Sequence, residues 1–276
     1  MKQTALAFLL FLICSFNGVT QGWMPQGARS AGLGNTSVTL VDLFAYHHNP
    51  GALGFLESGG VAVSYESRYL LRELQSQGFT IAQPLANGVV SVGGQFYGYE
   101  TFRTNRIGGG YALKLTDNLA AGVQLNYMSL RLDPFYGVKH AVSGEVGMLT
   151  TIGDDVTVGF SATNIGRARL SEFKDDRFST LLRLGTSYQI TRDLLIMMEL
   201  EQEVSFLTRV RGGMEYNYNE QFYFRIGAQG APVEFSFGAG YRWNLIQLDL
   251  ASHYNQLLGW TPSAALLYNF PTKSTN

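Results

Sequence analysis

From about Gly59 onward the chain alternates apolar residues with small or polar ones in fourteen short stretches. Leu119-Ala-Ala-Gly-Val-Gln-Leu-Asn-Tyr127 is one of the clearest: Leu119, Ala121, Val123, Leu125 and Tyr127 share one parity, and Ala120, Gly122, Gln124 and Asn126 the other. Successive side chains of a strand point to opposite faces, so each stretch has a greasy face and a polar one. The pattern predicts strands near 60–66, 77–84, 88–97, 106–115, 119–130, 140–152, 156–165, 178–190, 194–203, 207–218, 221–229, 233–242, 245–254 and 260–270. Ala86-Asn-Gly88, Thr116-Asp-Asn118, Gly153-Asp-Asp155, Thr191-Arg-Asp193 and Asn219-Glu220 fall between every second pair, and these residue types tolerate turn geometry. Short turns on one rim, an even strand count and a continuous apolar face predict an all-β fold. The class is a 14-stranded antiparallel transmembrane β-barrel of the bacterial outer membrane. Longer connections are expected at 67–76, 98–105, 131–139 and 166–177, with very short ones near 204–206, 230–232 and 255–259. Loops this modest offer little with which to grip a large ligand.

The residues ahead of the barrel have a different character. Lys2 followed by the apolar run Ala5 to Phe16, then Asn17-Gly-Val-Thr-Gln-Gly22, has the layout of a cleaved signal peptide and is too short to span a bilayer comfortably. Residues 1–22 are therefore expected to be a leader, 23–58 an N-terminal plug segment, 59–270 the barrel and 271–276 a tail. Cys14, the single cysteine, sits early in the apolar run after the bulky Ile13, a poor setting for lipid attachment, and removal of the leader leaves a chain without thiols.

With the apolar face assigned to lipid, the lumen side of the C-terminal half can be read off. Arg183, Glu199, Glu201, Arg209, Arg211, Glu215, Arg225, Glu234, Arg242 and Asp249 fall on the inward parity. Isolated charges in a low-dielectric interior are costly, so five arginines and five acids predict a cross-strand ion-pair network. Either it braces the wall or it lines a polar path, and its balance of signs argues against a strongly ion-selective pore. Gly122, Gly147, Gly159, Gly185, Gly213, Gly227, Gly238 and Gly240 also face inward. They admit a close backbone, for which the plug segment is the natural candidate, or they relieve curvature in the sheet. Tyr127, Tyr188, Tyr216, Tyr218, Trp243, Tyr254, Trp260 and Tyr268 lie at strand ends, where interface girdles use such rings.

Composition narrows the function classes. Charged residues make up 15% of the chain, well under the usual share for soluble domains, and the net charge is −1 with Lys and Arg scattered, so no nucleic-acid partner is expected. His47-His48 lacks acidic or thiol partners at a metal-binding spacing and is expected to pack inside the plug. Ser252 and His253 are adjacent on a strand, point to opposite faces, and cannot form a nucleophile–base pair. Gly108-Gly-Gly110 and Gly32-Leu-Gly34 have no strand-to-helix crossover around them and are not phosphate loops. No enzyme, cofactor or metal site is expected.

One stretch carries a family resemblance. Gly27-Ala-Arg-Ser-Ala-Gly-Leu-Gly-Asn-Thr-Ser-Val-Thr-Leu40, then Asp42, then Asn49-Pro-Gly-Ala-Leu53 resembles the opening of PorV/PorQ-type outer-membrane proteins of Bacteroidota, relatives of FadL-like transporters. Leu182-Arg-Leu-Gly185 and Leu257-Leu-Gly-Trp-Thr-Pro262 also look familiar from that group; Gly51 stands where the family usually has Ala. The resemblance implies a 14-stranded barrel with its N-terminal segment tucked against the lumen. It also implies one of two roles. The first is an accessory or scaffold in a surface or type IX protein-secretion assembly, with secretion-machinery or surface proteins as partners. The second is a FadL-like channel for small hydrophobic molecules. The leading expectation is the scaffold, and the lipid of the outer membrane is the expected partner of the apolar face. As plug-motif residues, Gly27, Gly32 and Gly34 suit tight bends, Asn49 and Pro50 a turn or helix boundary, Asp42 is the motif's acidic position, and Arg29 is expected to pair with an inward acid such as Glu199 or Glu201.

Overall fold

The computed structural model describes residues 25–132, 137–168, 178–203, 208–230 and 233–271. The expected leader and the last five residues lie outside the described residues, as do parts of the 131–139, 166–177 and 230–232 connections and all of 204–206. The chain closes into one barrel of fourteen antiparallel strands, each paired with its sequence neighbours. They are β1 (Gly60–Ser67), β2 (Gln75–Leu85), β3 (Gly88–Gly98), β4 (Phe102–Thr116), β5 (Leu119–Leu132), β6 (Val138–Ile152), β7 (Val156–Thr163), β8 (Leu181–Thr191), β9 (Leu194–Glu203), β10 (Arg209–Tyr218), β11 (Phe222–Gln229), β12 (Glu234–Trp243), β13 (Ile246–Asn255) and β14 (Gly259–Asn269). Closure is made by β1 on β14, from Gly60 opposite Asn269 to Glu66 opposite Ser263, so no edge strand is left with unpaired backbone groups. The ladder shifts register between Lys114 and Thr116 and between Gln189 and Thr191, and runs unbroken from β2 through β3 into β4.

The alternation seen in the sequence becomes an inside and an outside. Val123, Leu125, Leu184, Leu200, Ile226, Phe237 and Leu250 stand exposed on the outer surface, and Tyr188, Tyr218, Trp243 and Trp260 are exposed with them. No helix of the described residues is long and apolar enough to cross a membrane; the strands cross it.

Two connections are shorter than the sequence suggested. The one expected at 98–105 is the turn 99–101, because Arg103 to Arg106 go on pairing with Gly98 to Gln95. Likewise β5 extends to Leu132 and β6 starts at Val138. The added positions put Arg103, Thr104, Asn105, Arg131 and Lys139 beside Phe102, Leu132 and Val138, a mixture that hides the apolar-out alternation once the strand leaves the lipid. β4 and β6 reach 15 residues where β1, β7 and β11 have 8, so one side of the wall rises above the rest as a tongue.

The N-terminal segment folds within the barrel. It has two short helices, α1 (Ala28–Gly32) and α2 (Ala45–His48), and a 3-10 turn from Pro50 to Phe55. Ala28, Leu33, Ala45, Tyr46, Asn49 and Ala52 have essentially no exposed surface. One apolar cluster joins Leu43, Phe44, Tyr46 and Leu53 to wall residues Ala82, Val89, Ala112, Leu149 and Leu267.

Candidate functional site

The site is the contact between the plug and the lumen wall, and glycine builds much of it. A Cβ on Gly122 would lie 2.5 Å from the Pro50 carbonyl carbon; on Gly159, 2.5 Å from the Val38 oxygen; on Gly213, 2.6 Å from the Leu33 oxygen. Gly185 meets the Val38 side chain, Gly227 meets the backbone of Leu33 and Gly34, Gly238 meets Gly32, and Gly147 meets Asn49 and Gly51. Each marks a place where the plug lies directly on wall backbone, so the reading of inward glycine as room for another chain applies to these positions. Gly240 differs: it lies against Asp249 and Arg225 of the wall itself. The contacts are reciprocal, since a Cβ on Gly51 would lie 2.5 Å from the Gly147 carbonyl carbon. That explains glycine where the resembling family has alanine. Gly27 (φ 91°) and Gly34 (φ 67°) adopt left-handed backbone that other residues avoid.

Charge holds the leading end of the plug. Arg29 on α1 donates to Glu215 on β10, Nη2 to Oε1 at 2.7 Å and Nε to Oε2 at 3.0 Å, in a bidentate fork, and reaches Asp42 at 3.2 Å. Arg225 on β11 pairs with the same Glu215 (2.5 Å) and with Asp249 on β13 (2.6 Å). Arg29 thus meets an inward acid, but the acid is Glu215 and neither of the two given as examples, Glu199 and Glu201. α1 sits against β11–β13 and aims Arg29 at β10's Glu215. Glu199 accepts instead from the Ser37 (2.7 Å) and Val38 (2.8 Å) amides, and Glu201 is taken by Arg183 (3.0 Å), Arg211 (2.7 Å) and Arg209 (3.5 Å). Arg211 also donates to the Asn35 carbonyl at 3.2 Å. Of the remaining inward charges, Glu234 accepts from Asn255 and Gln229, and Arg242 donates to Gln247 and covers the Tyr223 ring near the short-turn rim.

The trailing end is packed and hydrogen-bonded. Asn49 carries three bonds: Nδ2 donates to the Val38 (2.7 Å) and Met148 (2.9 Å) carbonyls, and Oδ1 accepts the Gly51 amide (3.0 Å). Pro50 opens the 3-10 turn, where a missing N–H costs nothing. Tyr46 donates to the Gly93 carbonyl at 3.1 Å. His48 Nε2 bonds the Gln26 carbonyl at 2.8 Å, and His47 Nε2 the Phe79 carbonyl at 3.3 Å. Burial, with the Arg106 charge adding to it, lowers the His47 pKa to about 3; burial and Arg183 hold His48 well below the usual range. Burial raises the Asp42 carboxyl, against the pull of Arg29.

Reading charges only in the C-terminal half missed one pair. Arg106 on β4 and Glu145 on β6 meet at 2.5 Å inside the lumen, beside Asn126, which donates to Glu145 at 2.7 Å. Their parity, shared with Gly108 and Gly147, was the available signal. Among the described residues no group of three or more His, Cys, Asp or Glu is placed to hold a metal. His253 is buried toward the lumen and its neighbour Ser252 points the other way. Near the short-turn rim a cavity of about 460 Å³ opens between the trailing plug and the wall, lined by Gly54, Leu56, Pro84, Leu85, Val89 and Lys114.

No family model and no curated protein matches the chain by sequence. Solved structures match by fold. The CymD monoaromatic hydrocarbon channel superposes with a TM-score of 0.69 at 13% identity, over 94% of this chain and 100% of the other. The Ralstonia pickettii toluene transporter TbuX gives 0.63 at 13%, over 91% and 99%. A Pseudomonas aeruginosa FadL homologue gives 0.62 at 12%, over 94% and 100%. The chain thus has the fold of the FadL-type barrels, nearly end to end.

Proposed function

We propose that this protein is a non-enzymatic outer-membrane channel of the FadL type that passes small hydrophobic molecules, with the N-terminal segment as its hatch. The observation that carries the reading is the division of the plug. Its leading end is fixed by ions, while its trailing end presents Leu43, Phe44, Tyr46 and Leu53 to an apolar stretch of wall that leads toward the rim cavity. An apolar solute has reason to move along that side, past the Arg106–Glu145 pair, and not among the clustered arginines of β8, β10 and β11. Likeness in fold to two hydrocarbon transporters supports the same reading.

The test is accumulation of labelled toluene by cells that lack their own hydrocarbon channel. Expression of this chain should speed uptake over an empty vector. Uptake equal to the vector overturns the channel reading.

One observation favours the scaffold reading: the ladder from β2 to β4 is continuous and the hatch is seated against the wall on all sides. The likeness of Gly27–Leu53 to the PorV/PorQ opening supports it too, as a component of a type IX or other surface assembly. A large stoichiometric partner pulled down from native outer membranes, with no uptake, is the result that reading requires.

A further inference from the structure

The tongue formed by β4, β5 and β6 carries a patch that neither transport nor plugging uses. Its outer face is set by parity. Arg106 points into the lumen at Glu145, so Arg103, an odd number of positions away, points outward; Arg131 shares parity with the exposed Val123, Leu125 and Tyr127. The two arginines stand directly opposite each other in the β4–β5 register. Like charges facing across a strand pair repel, and among the described residues neither has an acidic partner. One step toward the lipid lie Asn105 and Ser129, joined at 3.2 Å, with His140 opposite Ser129 on β6. Below them Tyr127 stacks on His140, ring centres 5.7 Å apart, and the Tyr127 hydroxyl meets His140 Nδ1 at 2.6 Å. Ile107 and Val142 flank Tyr127 in its own row, and with Leu125 one step below they begin the lipid-facing band.

Apolar band, aromatic ring, then unpaired arginines is the order of a bilayer boundary read outward: acyl chains, interface, headgroup. The tongue rises from the rim opposite the short turns, which is the cell-exterior side. We propose that Arg103 and Arg131, with His140 and Asn105 beside them, form a binding site for the phosphate of a phosphorylated glycolipid in the outer leaflet. One phosphate between the two guanidiniums converts their repulsion into two charge-assisted contacts, while the acyl chains lie on Ile107, Leu125 and Val142. The proposal rests on the outer-membrane placement and is independent of transport.

The test uses the full chain in phosphatidylethanolamine vesicles, titrated with fluorescent lipopolysaccharide bearing its lipid A phosphates. Arg103→Gln/Arg131→Gln should bind about 10- to 30-fold more weakly than wild type, from the loss of two charges at an anionic surface. R103K/R131K should keep most of the affinity. Arg192→Gln, in a turn of the opposite rim, should bind like wild type. Heat-modifiable migration on gels selects the folded fraction, so the comparison is made between folded barrels only. Phosphatase-treated lipopolysaccharide should bind wild type no better than intact glycolipid binds the glutamine variant. Equal binding by wild type and that variant overturns the site. So does complete displacement by inorganic phosphate, which marks a free-anion site. Toluene uptake by the glutamine variant should match wild type, so failure of the channel reading leaves this result standing.

Discussion

The two ends of the plug are held by different physics. The leading end, residues 27–38, is clamped by charge: Arg29 on Glu215, the Ser37 and Val38 amides on Glu199, and the Asn35 carbonyl on Arg211. The trailing end, residues 43–55, contains no Asp, Glu, Lys or Arg. It relies on apolar packing, on Asn49, and on wall glycines that let backbones touch. Buried ion pairs are directional and fail steeply when one partner is lost, whereas packing is lost in proportion to volume. The barrel therefore has one end of its hatch fixed in register and another free to loosen without unpairing a charge.

Glu215→Ala should break the comparison hardest. It strips Arg29 of its fork and Arg225 of one of its two acids, at a cost of about 3–5 kcal/mol. Limited proteolysis from the short-turn side should then cut within 27–38 while 43–55 stays protected. Simultaneous release of both ends would show that the plug moves as one unit. Gly147→Val acts on the other end, forcing a side chain into Asn49 and Gly51 at about 1–3 kcal/mol. Hydrogen exchange should rise at 43–55 and stay low at 27–38.

Acid should select the trailing end as well. His47 is neutral in the fold, with its pKa lowered to about 3, while the unfolded ring titrates near 6.5. The stability it contributes is complete above pH 6.5 and is lost as pH falls from there toward 3, about 2 kcal/mol by pH 5. His48 acts in the same direction. Protection factors at 43–55, with the intrinsic pH dependence of amide exchange divided out, should fall from pH 7.5 to 5, and a flat profile would remove the histidines from the account. The smallest effect belongs to Arg209→Ala, whose pair with Glu201 is long at 3.5 Å and partly solvated; less than about 1 kcal/mol should appear in gel-shift melting temperature.

Much of the fold was legible in order. Parity along each strand is local, so the strand centres, the outward belt and the inward positions of Arg183, Glu199, Arg225 and Asp249 could be read residue by residue. The tops of β4, β5 and β6 could not, because beyond the lipid the outer face turns polar at Arg103, Asn105, Ser129 and Arg131 while Leu130 is buried inward, so the apolar-out contrast is lost. Arg29 shows a second limit. Its need for a carboxylate was readable, but Glu199, Glu201 and Glu215 share one parity, and choosing among them requires the height and rotation of α1 against the wall.

By itself, then, the sequence determined a barrel of fourteen amphipathic strands with a glycine-lined, charge-balanced interior and a candidate to occupy it. Alternation needs only neighbouring residues to be expressed. The tertiary structure decided which acid holds Arg29, which glycines receive the plug backbone, and that Arg103 faces Arg131 above the aromatic rim. Each of these depends on the register between segments far apart in the chain, which closure of the ladder and seating of the plug set together.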